Sequence, residues 1–113
     1  MKRGELWTVA GDEGYAGKPR PVVILQDDQF ESTASITFCQ LTTNETEASL
    51  FRLVVQPDLG NGLQRESRIA IDRIMTTPRT KLGKRIGRLA EKDMVRVDLA
   101  VLVFLGLARG RGR

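Results

Sequence analysis

Histidine is missing from all 113 residues of the chain. Its absence removes imidazole acid–base pairs, Ser-His-Asp triads and nearly every zinc or iron site built on imidazole. Cysteine is almost as scarce: Cys39 stands alone, so no internal disulfide forms and a reducing compartment is the natural setting. It lies inside a strand-like segment without a histidine partner and reads as a small core residue. Long apolar runs are lacking as well. The longest, Leu99 to Leu107, spans nine residues and contains Gly106, against the roughly 20 needed to cross a bilayer. The basic start, Met1-Lys2-Arg3-Gly4-Glu5, has no apolar run behind it, so no signal peptide is expected. No metal motif, phosphate-binding loop or dinucleotide fingerprint is present. A cytoplasmic protein with no membrane contact, metal or cofactor is the expectation.

What the chain does have is enough apolar material, 41%, for one self-sufficient core. A single domain is expected over residues 1–108, followed by a flexible Arg/Gly tail over 109–113. The net charge is only +4, but it is unevenly placed. Asp27 to Asp58 holds six acidic residues and one basic one, whereas Arg65 to Arg88 holds eight basic residues against Glu66 and Asp72. An uneven distribution of this kind can present a cationic surface that attracts polyanions; each charge taken singly would be merely solvated.

Alternating, β-branched segments predict strands at Glu5–Ala10, Pro21–Gln26, Ser35–Thr43, Phe51–Gln56 and Ser67–Asp72. Arg73 to Thr80 reads as extended, and Arg85 to Leu89 as a short edge strand. Residues 11–19 hold three glycines and a proline and read as a loop longer than a hairpin needs. Helical spacing appears only at the end, in Met94, Val97, Val101, Phe104 and Leu105, with Ala90 before the helix and Gly106 closing it. Strands followed by one helix indicate a small, mainly antiparallel barrel with a C-terminal helix.

Chemistry concentrates at strand ends. Pro19 and Pro21 bracket Arg20 and fix where its guanidinium points, a constraint that a solvent-facing arginine would not require. Thr42 and Thr43 close a strand with adjacent hydroxyls, which serve either as donors to a ligand or as a turn-start hydrogen bond.

Arg3-Gly4-Glu5-Leu6-Trp7, Gly17-Lys18-Pro19-Arg20-Pro21-Val22-Val23-Ile24, Leu41-Thr42-Thr43, Ile71-Asp72-Arg73-Ile74, Thr77-Pro78-Arg79-Thr80 and Ile86-Gly87-Arg88-Leu89 together resemble the MazF/PemK toxins, in order over nearly the whole chain. The resemblance implies an SH3-like barrel of CcdB/MazF type, a homodimer, sequence-specific cleavage of single-stranded mRNA, and neutralisation by a cognate antitoxin. It places the catalytic arginine at Arg20, the threonine pair at Thr42 and Thr43, and an RNA-contacting acid at Asp72. Two positions depart from the family pattern. Tyr15 stands where some members carry a glutamate, which leaves Glu13 or Asp12 as the general base, and Gln40 stands where a proline is common.

Histidine-free RNA cleavage is chemically sound because RNA carries its own nucleophile, the 2′-hydroxyl. Its attack on the adjacent phosphate gives a 2′,3′-cyclic phosphate and a 5′-hydroxyl. In this scheme Arg20 offsets charge on the phosphorane oxygens, Thr42 donates to phosphate or orients the ribose, and Glu13 accepts the proton. The basic stretch, Arg73 and Arg79 in particular, is expected to bind RNA, while Glu45, Glu47 and Asp72 contribute to base reading. The competing reading is a non-catalytic, CcdB-like toxin that binds a protein such as gyrase, or an RNA-binding module that does not cut.

Overall fold

Between Ser67 and Thr77 no glycine or proline interrupts the chain, and this stretch builds the longest strand of the fold. The structure is a computed structural model describing residues 1–10, 19–43 and 51–108. In chain order it contains β1 (Glu5–Val9), β2 (Arg20–Ile24), β3 (Ser35–Thr42), β4 (Arg52–Val55), β5 (Ser67–Pro78), β6 (Leu82–Arg88) and α1 (Glu91–Phe104). The segments read as a strand ending at Asp72 and an extended piece beyond it are therefore one element, β5. The edge strand starts at Leu82, three residues ahead of Arg85, because Leu82 pairs with Val9 of β1 and the Lys84 amide donates to Thr8 Oγ1.

All described strand pairs are antiparallel, and the sheet order is β4-β5-β3-β2-β1-β6. The expected small β architecture with a C-terminal helix is what forms. Hydrogen bonding does not close it, since β4 and β6 remain the two edges. The β3–β5 pairing carries one large irregularity. Cys39 faces Ile74 while its neighbour Gln40 faces Ala70, which leaves Ile71, Asp72 and Arg73 as extra residues on β5. Such bulges bend a strand and re-aim its side chains.

Alternate residues of a strand point to opposite sides of the sheet, and here the two sides bury different sets. One side carries Leu6, Val23, Cys39, Leu41, Val55, Ile69 and Ile71, packed with Val97 of α1 into the main core. Each aliphatic side chain buried there contributes about 1.5–3 kcal/mol. Burial also pushes the Cys39 thiol pKa up to about 12, so the residue behaves as a hydrophobe. The other side holds a smaller cluster of Val22, Ile24, Ile36 and Phe38, covered by Trp7, Val9 and Leu82.

Helix α1 starts after Ala90 without a side-chain cap, while Glu91 and Asp93 in its first turn suit the helix dipole. At its C-terminus Gly106 takes a positive φ of 78°, and the Leu107 amide returns to the Leu102 carbonyl at 2.8 Å, a glycine-dependent stop. Val97 is fully buried, and Phe104 meets Phe51 edge-on with ring centroids 4.9 Å apart. Leu105, read as part of the buried stripe, is 53% exposed because it lies past the last helical turn.

Candidate active site

The register of β2 and β3 brings two of the sequence-selected residues together. Val22 pairs with Gln40 and Ile24 with Phe38, and continuing that register by two residues sets Arg20 opposite Thr42. Both belong to the side of the sheet turned away from α1, in line with Val22 and Gln40. The prolines act as their spacing suggests. Pro19 and Pro21 line a separate cleft of about 450 Å³ together with Thr43, Gly62, Gln64 and Arg65, while Arg20 projects between them to the opposite side. Thr42 and Thr43 are therefore not a working pair on one surface: Thr42 shares a side with Arg20, and Thr43 lies in the cleft behind it.

A smaller cleft of about 80 Å³ opens beside Arg20, lined by Val9, Gln40, Met75, Thr76 and Lys81 among others. On the far side of Thr42, strand β5 places Arg68 directly opposite it, and Val54 of β4 follows in the same row. The next row runs Val22, Gln40, Ala70, Arg52. Beyond it, the β5 bulge turns Asp72 toward Arg52, whose Nε and Nη2 donate to the two carboxylate oxygens at 2.9 and 3.0 Å. The Arg52 side chain is only 5% exposed. Its guanidinium holds the Asp72 carboxyl below the usual carboxylate range, chiefly through these hydrogen bonds.

The remaining candidates lie elsewhere. Arg73 is exposed on the same bulge. Arg79 sits past the end of β5, where its side chain donates to the Thr33 and Glu31 carbonyls and pins the β3 approach. Arg85 pairs with Glu5 at 3.0 Å. Asp12, Glu13, Tyr15, Glu45, Glu47 and the 109–113 tail lie outside the described residues. Sequence reading passed over Arg52 and took Arg68 only as one of the basic residues between Arg65 and Arg88 that could face RNA. Period-2 alternation from Thr42 and Asp72 would have placed both on the active side, but only once the β3–β5 pairing was known. Among the described residues there is no group of three or more His, Cys, Asp or Glu that could hold a metal ion, and no helix is long and apolar enough to cross a membrane.

An open antiparallel sheet backed by one C-terminal helix, with Arg20 and Thr42 on the side away from that helix, defines a small, mainly β protein. The chain belongs to the family described as PemK-like, MazF-like toxin of type II toxin-antitoxin system, which matches residues 2–105. A probable endoribonuclease MazF of Mycolicibacterium smegmatis is 51% identical over 108 residues, covering 96% of this chain and 99% of the relative. Among solved structures, a mycobacterial endoribonuclease in complex with its cognate antitoxin has the same fold, with a TM-score of 0.79 at 22% identity over 97% of this chain and 99% of that one. The Deinococcus radiodurans MazE-MazF complex follows at 0.74 and 14%, covering 96% of this chain and 98% of that one.

Proposed function

We propose that this chain is a toxin endoribonuclease that cuts single-stranded mRNA at specific short sequences and is held in check by a cognate antitoxin. The observation that carries this reading is the β2–β3 register, which, continued from Val22–Gln40, sets Arg20 beside Thr42 on one side of the sheet, at positions where the family resemblance expects them. The substrate 2′-hydroxyl attacks the neighbouring phosphorus and the 5′-oxygen leaves. Arg20 grips the phosphate oxygens and offsets the charge that builds on them. Thr42 donates a hydrogen bond to phosphate or ribose, and Glu13 takes the 2′-hydroxyl proton. Thr43, Arg73 and Arg79 serve the longer RNA path, and Asp72 contributes through the face it shares with Arg52. A CcdB-like protein binder would have no use for the Arg20–Thr42 arrangement, and family membership favours the nuclease.

The working unit in this reading is a cytoplasmic homodimer. Helix α1 supports it with a second apolar stripe, Val95, Leu99, Leu102 and Val103, each at least 40% exposed, which a second copy can cover. The antitoxin is the other expected partner.

The test uses a defined RNA with a 2′-deoxy nucleotide at the mapped cut site. Wild-type protein in excess EDTA should cut the all-ribose strand, leave a 2′,3′-cyclic phosphate, and spare the deoxy strand. Cutting of the deoxy linkage at an unchanged rate would overturn the 2′-hydroxyl mechanism.

A further inference from the structure

Arg52 and Arg68 share the uncovered side of the sheet but not their circumstances. Arg52 delivers two hydrogen bonds to Asp72, and in doing so it occupies both oxygens of the acid nearest to this row. Arg68 has no such partner. Its Nε is shut off from solvent and finds no acceptor, and the guanidinium makes no hydrogen bond or ion pair with the described residues. Folded proteins rarely leave a charged donor half-satisfied in this way, and where they do, the group commonly answers to a ligand. The strand register sharpens the case: Arg68 lies directly opposite Thr42 on β5, and the β2–β3 register, carried two residues beyond Val22–Gln40, brings Arg20 to the other side of Thr42. Neighbouring strands run about 4.8 Å apart, so the two arginine backbones are separated by roughly 10 Å with Thr42 between them. Flexible side chains can span that gap to consecutive phosphates of one extended strand.

We infer that Arg68 is a second phosphate-binding residue, holding the phosphate next to the one that is cut while Arg20 attends the reacting phosphate. This inference rests on the endoribonuclease reading above. The outer Nη groups, rather than the shielded Nε, take their acceptors from the RNA, and Thr42 is bracketed by cations so that the backbone of the substrate is fixed on both sides of the scissile bond. Such a contact exists before and during the reaction. It therefore acts on binding and not on the chemical step.

Arg68→Met keeps the aliphatic stem and removes the charge, whereas Arg68→Lys keeps the charge. With a cleavable RNA, Arg68→Met should raise KM about tenfold and leave kcat within about twofold. With the deoxy-substituted strand, its log–log salt slope of binding should become less negative by about 0.7, the contribution of one neutralised phosphate on a single strand. Arg68→Lys should restore the slope. Thermal unfolding should not shift downward, because no folded-state partner is lost. Arg68→Gln carries the same expectations as the methionine variant and replaces it if that protein fails to fold. Unchanged KM and slope in a wild-type background that cuts RNA would overturn the assignment alone. A loss confined to kcat would overturn it too, by moving Arg68 to the reacting phosphate. A wild-type protein that neither binds nor cuts RNA would defeat the nuclease reading and this inference together.

Discussion

On the side of the sheet covered by α1, Leu6, Val23, Leu41, Ile69 and Val97 are all 2% exposed or less. On the other side, the alternate positions of β2, β3 and β5 carry Arg20, Thr42 and Arg68, and those of β4 carry Arg52. Because side chains alternate with a period of two, the buried side fixes the register, and a slip by one residue would drive the arginines into the core. The Arg20–Thr42 end of the other side inherits that register, and farther along the same side Val22, Ile24, Ile36 and Phe38 reinforce it. The residues at the Arg20–Thr42 end are free to be chosen for charge and hydrogen bonding, and their spacing across strands is set for them by the packing behind. Stability and chemistry are thus assigned to opposite sides of the same strands, and substitutions can pull them apart.

The largest separation is expected at Arg20. Arg20→Ala should leave the chain folded while lowering the cleavage rate by about 10²–10³, the usual loss for one group that stabilises charge in the transition state. Primer extension on a defined RNA reads the rate, and circular dichroism reads the fold. A variant with more than half of wild-type activity would remove Arg20 from the mechanism.

The mirror experiment is Ile69→Ala, one residue along β5 from Arg68 and on the other side. It should destabilise the protein by about 3 kcal/mol, through lost burial plus a cavity. Once the remaining folded fraction is accounted for, cleavage per folded molecule should stay near wild type. If specific activity fell as steeply as it does for Arg20→Ala, the two sides would not be separable, and the core would be shaping the site directly.

How much of this was legible beforehand follows the same division. Ser35 to Thr42 and Ser67 to Asp72 alternate cleanly, so the strands and most of the main core could be read from side-chain period alone. The Arg-Gly-Glu-Leu-Trp and Pro-Arg-Pro-Val-Val stretches pointed to the family and to Arg20. Three things were hidden. The β5 bulge is one, since Ile71, Asp72 and Arg73 are extra only relative to β3, a partner more than 30 residues away. Arg52 is another: an arginine 5% exposed on an edge strand is unexpected until its acid is known. The third is the structural tie of Arg79, whose side chain donates to backbone carbonyls of Glu31 and Thr33. Each depends on a long-range pairing, and local sequence carries no record of those.

The smallest effect belongs to the Arg52–Asp72 pair, where charged groups on the side away from α1 contribute to stability. Asp72→Asn removes the carboxylate that Arg52 grips through both of its oxygens. The loss should be about 1–2 kcal/mol at pH 7, below the figure for a fully buried pair because the Asp72 side chain is 35% exposed. Its pH dependence has a definite sign. Arg52 holds the Asp72 pKa below its ordinary value, so near pH 4 the native state binds fewer protons at this carboxyl than the unfolded chain does. The stabilisation is fully present above the ordinary carboxylate pKa and is lost as pH falls through the lower native value. Urea unfolding of wild type and Asp72→Asn should therefore differ at pH 7 and converge in acid, where a protonated Asp72 is little more than the amide. A gap that stayed constant from pH 7 down to pH 2 would mean that the charge contributes nothing, and that Asp72 supports the bulge only through its shape and its neutral hydrogen bonds.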